Sequence, residues 1–532
     1  MCSVCGYFSL REKPVNLVVE MLKTLEHRGP DAHGLYADGK ITKAREIRDL
    51  QSPEMANVCL GHSRLSVVGG DDAIQPFRSC DGALSLVHNG ETYNYHELRG
   101  LLSKDHTVED EGNDSEILLH LIEEIYDGEL LRTVQSVVKM LNGMYAFAVT
   151  DGDEVVIARD PIGIKPMYYV EESGSAYFCS EKKGLYNFGC KIRRILPGKI
   201  LRANKGGISI HQGVRIERPQ IDITDSDDAV TLYRDALTDA IERMLRGLSL
   251  ENVGMIFSGG VDSVLIAKLI SDLGWNLRCY CVGKKGSEDV KNAKKVAEDL
   301  GLNLCVIYLD ERKVEFILPK VIESIETEGL LQVEVAVPMY LAAKGASEDG
   351  IKVMFTGQGA DELFAGYWWY KDVVSEDGFL KLHNKLWEDI DLLYDDTLER
   401  EDKVTMAHSV ELRVPYLDRN VVQCAMRISP RLKIKDGEDS IRKWVHRRVA
   451  AMLGVPHYTA YRIKDMAQSG SGVHGLIKKI AEEYFEGKKV DKVEIDDKGS
   501  NYRYLDTEYG TPEMWAYMHE IRKAINALRE SN

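Results

Sequence analysis

The chain has 532 residues, 44% hydrophobic and 29% charged, an ordinary composition for a soluble protein but too long for one compact core, so two or three domains are expected. Its 68 basic and 85 acidic residues leave a net charge of −17, which speaks against a nucleic-acid partner, because such binding rests on basic neutralisation of phosphates. No run approaches the roughly 20 apolar residues of a bilayer span, and MCSVCGYFSL lacks the basic-then-apolar layout of a secretory signal, so a cytoplasmic protein with no membrane partner is expected.

To about residue 205 the chain reads as short strands with turn dipeptides between them, as in ALSLVHNGETYNY, MYAFAVTDGDEVVIARD and AYFCSEKKGLY. NLVVEMLKTLEHR and DSEILLHLIEEIYD carry apolar residues at helical spacing. The pattern predicts an α+β sandwich over residues 1–205. Residues 206–228 are polar and irregular and read as a linker. From 229 to 532 the rhythm changes to alternating strands and helices: NVGMIF, SVLIAKLISDLG, LRCYCVG, DVKNAKKVAEDLG and LCVIYL. That alternation predicts an α/β domain with a parallel sheet. Beyond about residue 372 the chain reads as mainly helical.

Ten cysteines in a chain this long do not make a disulfide scaffold. Cys2/Cys5 and Cys279/Cys281 form close pairs, but neither has the second pair that zinc normally requires. Cys5, Cys279 and Cys281 read as small buried hydrophobes. Cys2 is different: with Met1 removed, its own α-amino group could serve as base for the thiol.

Two loops carry further chemistry. Ser258-Gly259-Gly260-Val261-Asp262-Ser263 lies between an apolar strand and an amphipathic helix. Its glycines permit close approach of a ligand, and the helix aims its free N–H groups at an anion. Asp262 would repel phosphate unless a cation intervened, so it is a candidate Mg2+ ligand. A plain strand-to-helix turn with a capping residue is the simpler reading of the glycines alone. Thr356-Gly357-Gln358-Gly359-Ala360-Asp361-Glu362 follows the run IKVMF. Parallel strands would bring Asp361 and Asp262 to one sheet edge, where both could hold the metal.

Met1-Cys2-Ser3, His27-Arg28-Gly29-Pro30-Asp31, Arg64-Leu65-Ser66, His88-Asn89-Gly90-Glu91-Thr92-Tyr93-Asn94 and Gly112-Asn113-Asp114-Ser115-Glu116 occur in that order. They resemble the N-terminal-nucleophile glutaminase domain of class II amidotransferases. With both loops, Glu411-Leu412-Arg413-Val414-Pro415-Tyr416-Leu417-Asp418 and Arg462-Ile463-Lys464, nearly the full length resembles glutamine-hydrolysing asparagine synthetase. The resemblance implies a glutaminase sandwich followed by an ATP-pyrophosphatase domain, with ammonia passing through an internal tunnel. Cys2 would attack glutamine, Asn89 and Gly90 would form the oxyanion hole, and Arg64, Glu91 and Asp114 would hold the amino acid. Phe257, Ser258, Gly259, Gly260, Asp262, Ser263, Val282, Thr356 and Gly357 would bind ATP, with Mg2+ on Asp262 and Asp361. Lys464 would stabilise charge at the adenylation centre, and AMP and pyrophosphate would be released. Homodimers are common in the family.

Two positions depart from the family pattern, and both concern the acceptor carboxylate. Gln358 stands where asparagine-making members usually carry a glutamate, and it cannot act as a base. Ungapped alignment on Pro338-Met339-Tyr340 places Glu334 where an arginine usually faces aspartate. Glu334 is thus expected to line the acceptor pocket and repel a carboxylate. Aspartate remains the leading acceptor, with another carboxylate as the alternative. The domain at the N-terminus and the negative charge disfavour a tRNA-modifying ATP pyrophosphatase, and intact Cys2, Asp262 and Asp361 disfavour a non-catalytic protein.

Overall fold

A computed structural model describes residues 2–70, 73–103, 106, 108, 113–248, 250–463, 470–486, 490 and 509–530. The chain divides into two compact units: Met1–Ile216 with Arg243–Leu250, and Glu217–Glu242 with Glu251–Asn532.

The first unit holds a seven-stranded and a six-stranded sheet. In the seven-stranded sheet, Ser3–Pro14 pairs antiparallel with Met55–Arg64 on one side and Ser175–Cys179 on the other. In the six-stranded sheet, Ser85–Thr92 pairs antiparallel with Gly143–Thr150. Side chains alternate between faces along a strand, and here both faces are covered. Val4 and Phe8 meet Val87, Ala146 and Ala148 in the core between the sheets. Cys5 and Tyr7 face outward against Val18 and Leu22 of the helix Asn16–Thr24. On the far side, Tyr145, Phe147 and Val149 pack on Ile117 and Leu121 of the helix Asp114–Ile125. This double burial explains why the strands read as nearly continuous apolar runs, and the α+β sandwich is as the sequence predicts.

The stretch 206–228, expected to be a linker, is partly structured. Gly207–Gln212 pairs antiparallel with Lys199–Asn204 as the edge of the six-stranded sheet, and a helix begins at Ser226. The two strands are joined by a turn at Lys205–Gly206, and Gly207, which leaves that turn, takes φ +101°. Ile208 and Ile210 were too few to announce a strand.

The second unit is built on five strands, all parallel, in the spatial order Asn303–Leu309, Asn276–Lys284, Asn252–Ile256, Val353–Phe355, Glu411–Arg413. Helices Val261–Asp272, Glu288–Leu300, Glu311–Ile325 and Leu330–Glu348 connect them. Strand order reverses at Asn252–Ile256, the topological switch point where open α/β sheets bind ligands beyond the carboxyl ends. The two glycine-bearing loops leave the sheet there. From Tyr370 onward the described chain is mostly helical, with a π-helical turn at Tyr394–Leu398 leading into the helix Glu399–Met406. Among the described residues, no helix is long and apolar enough to cross a membrane.

Candidate functional sites

In the first unit, Ser3–Pro14 starts in the middle of its sheet and so fixes Cys2 at the sheet edge. The Cys2 backbone N–H donates to Asn89 Oδ1 at 3.2 Å, and Arg28 Nε donates to Cys2 O at 3.2 Å. Arg28 is fully buried and pairs with Glu181 at 2.6 Å, a carboxylate that Lys183 and His27 also reach, at 2.7 and 3.3 Å. Burial alone would raise the Glu181 carboxyl, yet Lys183, His27 and Arg28 hold it well below the usual carboxylate range. Arg28 thus anchors the Cys2 backbone on a buried ion cluster. Nothing in the sequence around Glu181 announced that partner. Asp31 serves the same scaffold, its carboxylate accepting from Ser66 N at 2.7 Å.

Cys2, Arg64, Gly90, Glu91 and Asp114 line one small cavity of about 30 Å³. Asn89 is fully buried beside Cys2, and its Nδ2 has no hydrogen-bond partner among the described residues. An orphaned buried donor costs roughly 1–3 kcal/mol, and it is what an oxyanion hole requires before substrate arrives. Gly90 has φ +151°, and a Cβ there would lie 2.0 Å from Met144 O, so only glycine fits. Arg64 Nη2 donates to the Gly70 carbonyl at 2.7 Å. Asp114 opens the helix Asp114–Ile125 and accepts from Thr92 N at 2.7 Å. The cationic Arg64 and the carboxylates of Glu91 and Asp114 on the same cavity suit a zwitterionic amino acid.

In the second unit, a cavity of about 340 Å³ lies over the switch point. Phe257, Ser258, Gly260, Asp262, Ser263, Val282, Thr356, Gly357, Gln358 and Asp361 all line it. Gly259 does not. At φ +71°, its Cβ would stand 2.5 Å from Ala293 N, so this glycine serves the close approach of the helix Glu288–Leu300. Tyr416 donates its hydroxyl to Asp262 O at 2.8 Å, which ties the ELRVPYLD motif to the phosphate loop.

The residue joining the two aspartates is Lys443. Its Nζ lies 2.8 Å from Asp262 Oδ1, Asp262 Oδ2 and Asp361 Oδ1, and its side chain is buried. Gly366 makes the room, since a Cβ there would overlap Asp361 Oδ1 and Lys443 Cε. His446 Nε2 reaches Asp262 Oδ1 at 3.1 Å while Nδ1 meets the Tyr233 hydroxyl at 2.8 Å. Burial lowers the His446 pKa despite the pull of Asp262. Lys443 sits in DSIRKW with no motif around it and gave no sequence signal. Lys464, the lysine singled out from sequence, lies outside the described residues.

Glu334 requires a correction. Leu331, Val335, Pro338 and Ala342 of its helix line the cavity, but Glu334 is off that stripe and fully buried. His474 Nδ1 bonds its carboxylate at 2.9 Å, and the Tyr509 hydroxyl donates to its other oxygen. A carboxylate so paired presents no uncompensated charge to an acceptor. Alignment by sequence offset could not see which helix face is turned to the cavity. Instead, Arg400 and Glu401 of the helix Glu399–Met406 line it. Arg400 Nη1 donates to Gln332 Oε1 at 2.6 Å and Nη2 to Glu401 Oε1 at 3.3 Å. Burial pushes the Glu401 carboxyl up to about 7, against the pull of Arg400. All five residues of the run EREDK are buried. Buried charge of this density marks function more often than packing.

Family profiles match in two blocks, one described as a glutamine amidotransferase domain over residues 1–195 and one as asparagine synthase over 232–384 and 378–522. A Methanocaldococcus jannaschii protein, provisionally named a glutamine-hydrolysing asparagine synthetase, is 34% identical across 92% of this chain and 97% of its own length. The glutamine-hydrolysing asparagine synthetase of Asparagus officinalis is 31% identical across 86% of this chain and 74% of its own. Among solved structures, glutamine phosphoribosylpyrophosphate amidotransferase of B. subtilis covers 57% of this chain and 65% of that one at 21% identity, with a TM-score of 0.37.

Proposed function

The chain belongs to the glutamine-hydrolysing asparagine synthetase family, a family of ligases that use ATP, and from that premise we propose that it amidates aspartate to asparagine with glutamine as the nitrogen source. Cys2 Sγ attacks the glutamine side-chain amide, and the α-amino group freed by loss of Met1 takes the thiol proton. Asn89 Nδ2 and the Gly90 N–H receive the oxyanion. Ammonia leaves, and water releases glutamate from the thioester. In the second unit the acceptor carboxylate attacks the α-phosphorus of ATP, pyrophosphate departs, and ammonia displaces AMP from the acyl adenylate to give the amide.

The observation that carries this reading is the meeting of Asp262 and Asp361, about a hundred residues apart in sequence, on one buried lysine at a cavity over the sheet's switch point. Two hard oxygen donors converging on a single cation also fit Mg2+. Bound there, the ion would neutralise charge on the leaving pyrophosphate. Lys443 balances the two carboxylates before nucleotide arrives and turns its ammonium to the phosphates afterwards. The N-terminus of the helix Val261–Asp272 adds its dipole to the same end of the ligand.

For the acceptor, Arg400 is the natural partner of a carboxylate, as a planar fork, and Glu401 that of an α-ammonium. Gln358 lines the same cavity and can hydrogen-bond ammonia without deprotonating it. That residue favours a second reading, with the same machinery and a different carboxylate. Mass spectrometry of the product, after glutamine, ATP and a panel of carboxylates are offered, decides between them. An amide formed from aspartate at low millimolar concentration, roughly the upper range of ordinary KM values, supports the first reading. No reaction with aspartate alongside turnover of another acid overturns it.

A further inference from the structure

Away from both cavities, the first unit gathers Cys80, His106, His120 and Glu123, with one ligand atom from each lying within 4.8 Å of all the others. Cys80 sits in the turn between Phe77–Arg78 and Ser85–Thr92, while His120 and Glu123 share a face of the helix Asp114–Ile125. The contacts are Cys80 Sγ to His106 Nδ1 at 3.8 Å, Cys80 Sγ to His120 Nδ1 at 3.7 Å, His106 Nδ1 to Glu123 Oε2 at 3.3 Å, and His120 Nδ1 to Glu123 Oε2 at 2.9 Å. Both imidazoles therefore turn Nδ1 to a common point.

We propose that these four side chains form a structural zinc site. Metal–ligand bonds of about 2.0–2.1 Å to nitrogen or oxygen and about 2.3 Å to sulfur, at tetrahedral angles, put ligand atoms roughly 3.3–3.6 Å apart. Three of these four separations fall at or within a few tenths of an ångström of that range. The fourth, His120 to Glu123, is a hydrogen-bond distance that opens by a few tenths once the proton is replaced by a cation. One thiolate, two imidazoles and one carboxylate make a mixed set of the kind that suits zinc rather than Mg2+ or Ca2+.

The surroundings complete the case. A metal-bound histidine usually donates its other N–H to a carboxylate. Here His106 Nε2 lies 2.7 Å from Glu124, within hydrogen-bond reach, while Glu116 is the carboxylate near His120 Nε2, at the longer distance of 3.8 Å. The remaining oxygen of Glu123 accepts from the Asp81 N–H at 3.0 Å. Cys80 is exposed, which leaves an entry path. With four protein ligands no position is left open for a substrate, so the role is structural. The site would clamp the turn at Cys80 and the segment at His106 onto the helix whose first residue, Asp114, lines the Cys2 cavity.

The test uses the full-length protein, reduced, stripped with a chelator and refilled with zinc or cobalt(II) alone. Wild type should retain about one zinc per chain through dialysis, and its cobalt form should show a thiolate-to-cobalt charge-transfer band. Cys80→Ser should lose that band, and His106→Gln should retain less than a tenth of an equivalent. Chelation should lower the thermal midpoint of wild type, and added zinc should restore it, while midpoints of both variants stay unmoved by either treatment. A cooperative thermal transition and a wild-type-like far-UV circular dichroism spectrum of Cys80→Ser show that the altered unit is folded. Metal retained equally by Cys80→Ser, or wild type that binds neither ion, would overturn the assignment.

Discussion

Replacing Lys443 with methionine removes a charge while keeping most of the side chain's volume. The ammonium stands 2.8 Å from oxygens of both Asp262 and Asp361. A unit-charge contact at that distance is worth roughly 6 kcal/mol at an effective dielectric of about 20. Desolvating the lysine offsets a large part of this, so breaking the arrangement should cost about 3–5 kcal/mol, most of it repulsion between two carboxylates left facing each other. During turnover the missing cation no longer meets the charge developing on pyrophosphate, a loss on the order of 10²–10³ in kcat. Pyrophosphate release with ATP, acceptor and ammonia at saturating Mg2+ reads this directly, and glutamine hydrolysis at Cys2 serves as the control. Lys443→Arg keeps the charge and should recover part of the rate. Pyrophosphate release by Lys443→Met within threefold of wild type would refute the reasoning. Equal losses in both half-reactions would reduce Lys443 to a structural residue.

Cys2→Ala should abolish glutamine-driven synthesis and spare ammonia-driven synthesis, measured side by side as amide product. Glu401 should make acceptor binding depend on pH: with its carboxyl raised to about 7, the anion that meets an α-ammonium forms only as pH rises. The acceptor KM should therefore fall several-fold between pH 6 and 8, and a flat profile in wild type would sink the role. Conversely, the folded state holds Glu401 protonated where the unfolded chain does not, so this residue's contribution to stability falls as pH rises from about 4.5 to 7; Glu401→Gln should remove both dependences. Glu334→Gln should leave the acceptor KM unchanged. It should also flatten a pH effect on stability, because Glu334 raises the His474 pKa, and a raised histidine stabilises below its ordinary value of 6.5 and loses that contribution as pH climbs past it. Denaturation midpoints at pH 6 and 8 check this.

Elements with a local cause were legible in the sequence. The parallel sheet followed from apolar runs alternating with amphipathic helices, and the sandwich from short strands with turns between them. The two loops were legible because backbone geometry forces glycine: Gly359 sits at φ +95°, and a ligand cavity lies where both loops leave their strands. The edge strand Gly207–Gln212 was hidden because none of its residues is buried and so it has no alternation to show. His106, His120 and Cys80 gave no signal either, since their spacing fits no compact metal motif and only the fold brings them together.

The harder failures share one cause, which is that a charged side chain does not reveal its partner. Lys443 looks like any other lysine in the sequence; what marks it is the pair of aspartates that the fold brings to it. Glu334 read as a repulsive wall because its partner, His474, comes from a segment 140 residues away. In the run EREDK, Lys403 meets Glu326, from a different helix-end segment, at 2.7 Å with both buried. Burying such charges costs several kcal/mol each unless partners compensate, so a protein assembles them only where long-range contacts converge. In the second unit one such convergence, Arg400 with Glu401, lines the cavity over the switch point. On the proposed reading, Arg400 and Glu401 are where a change of acceptor should first be sought.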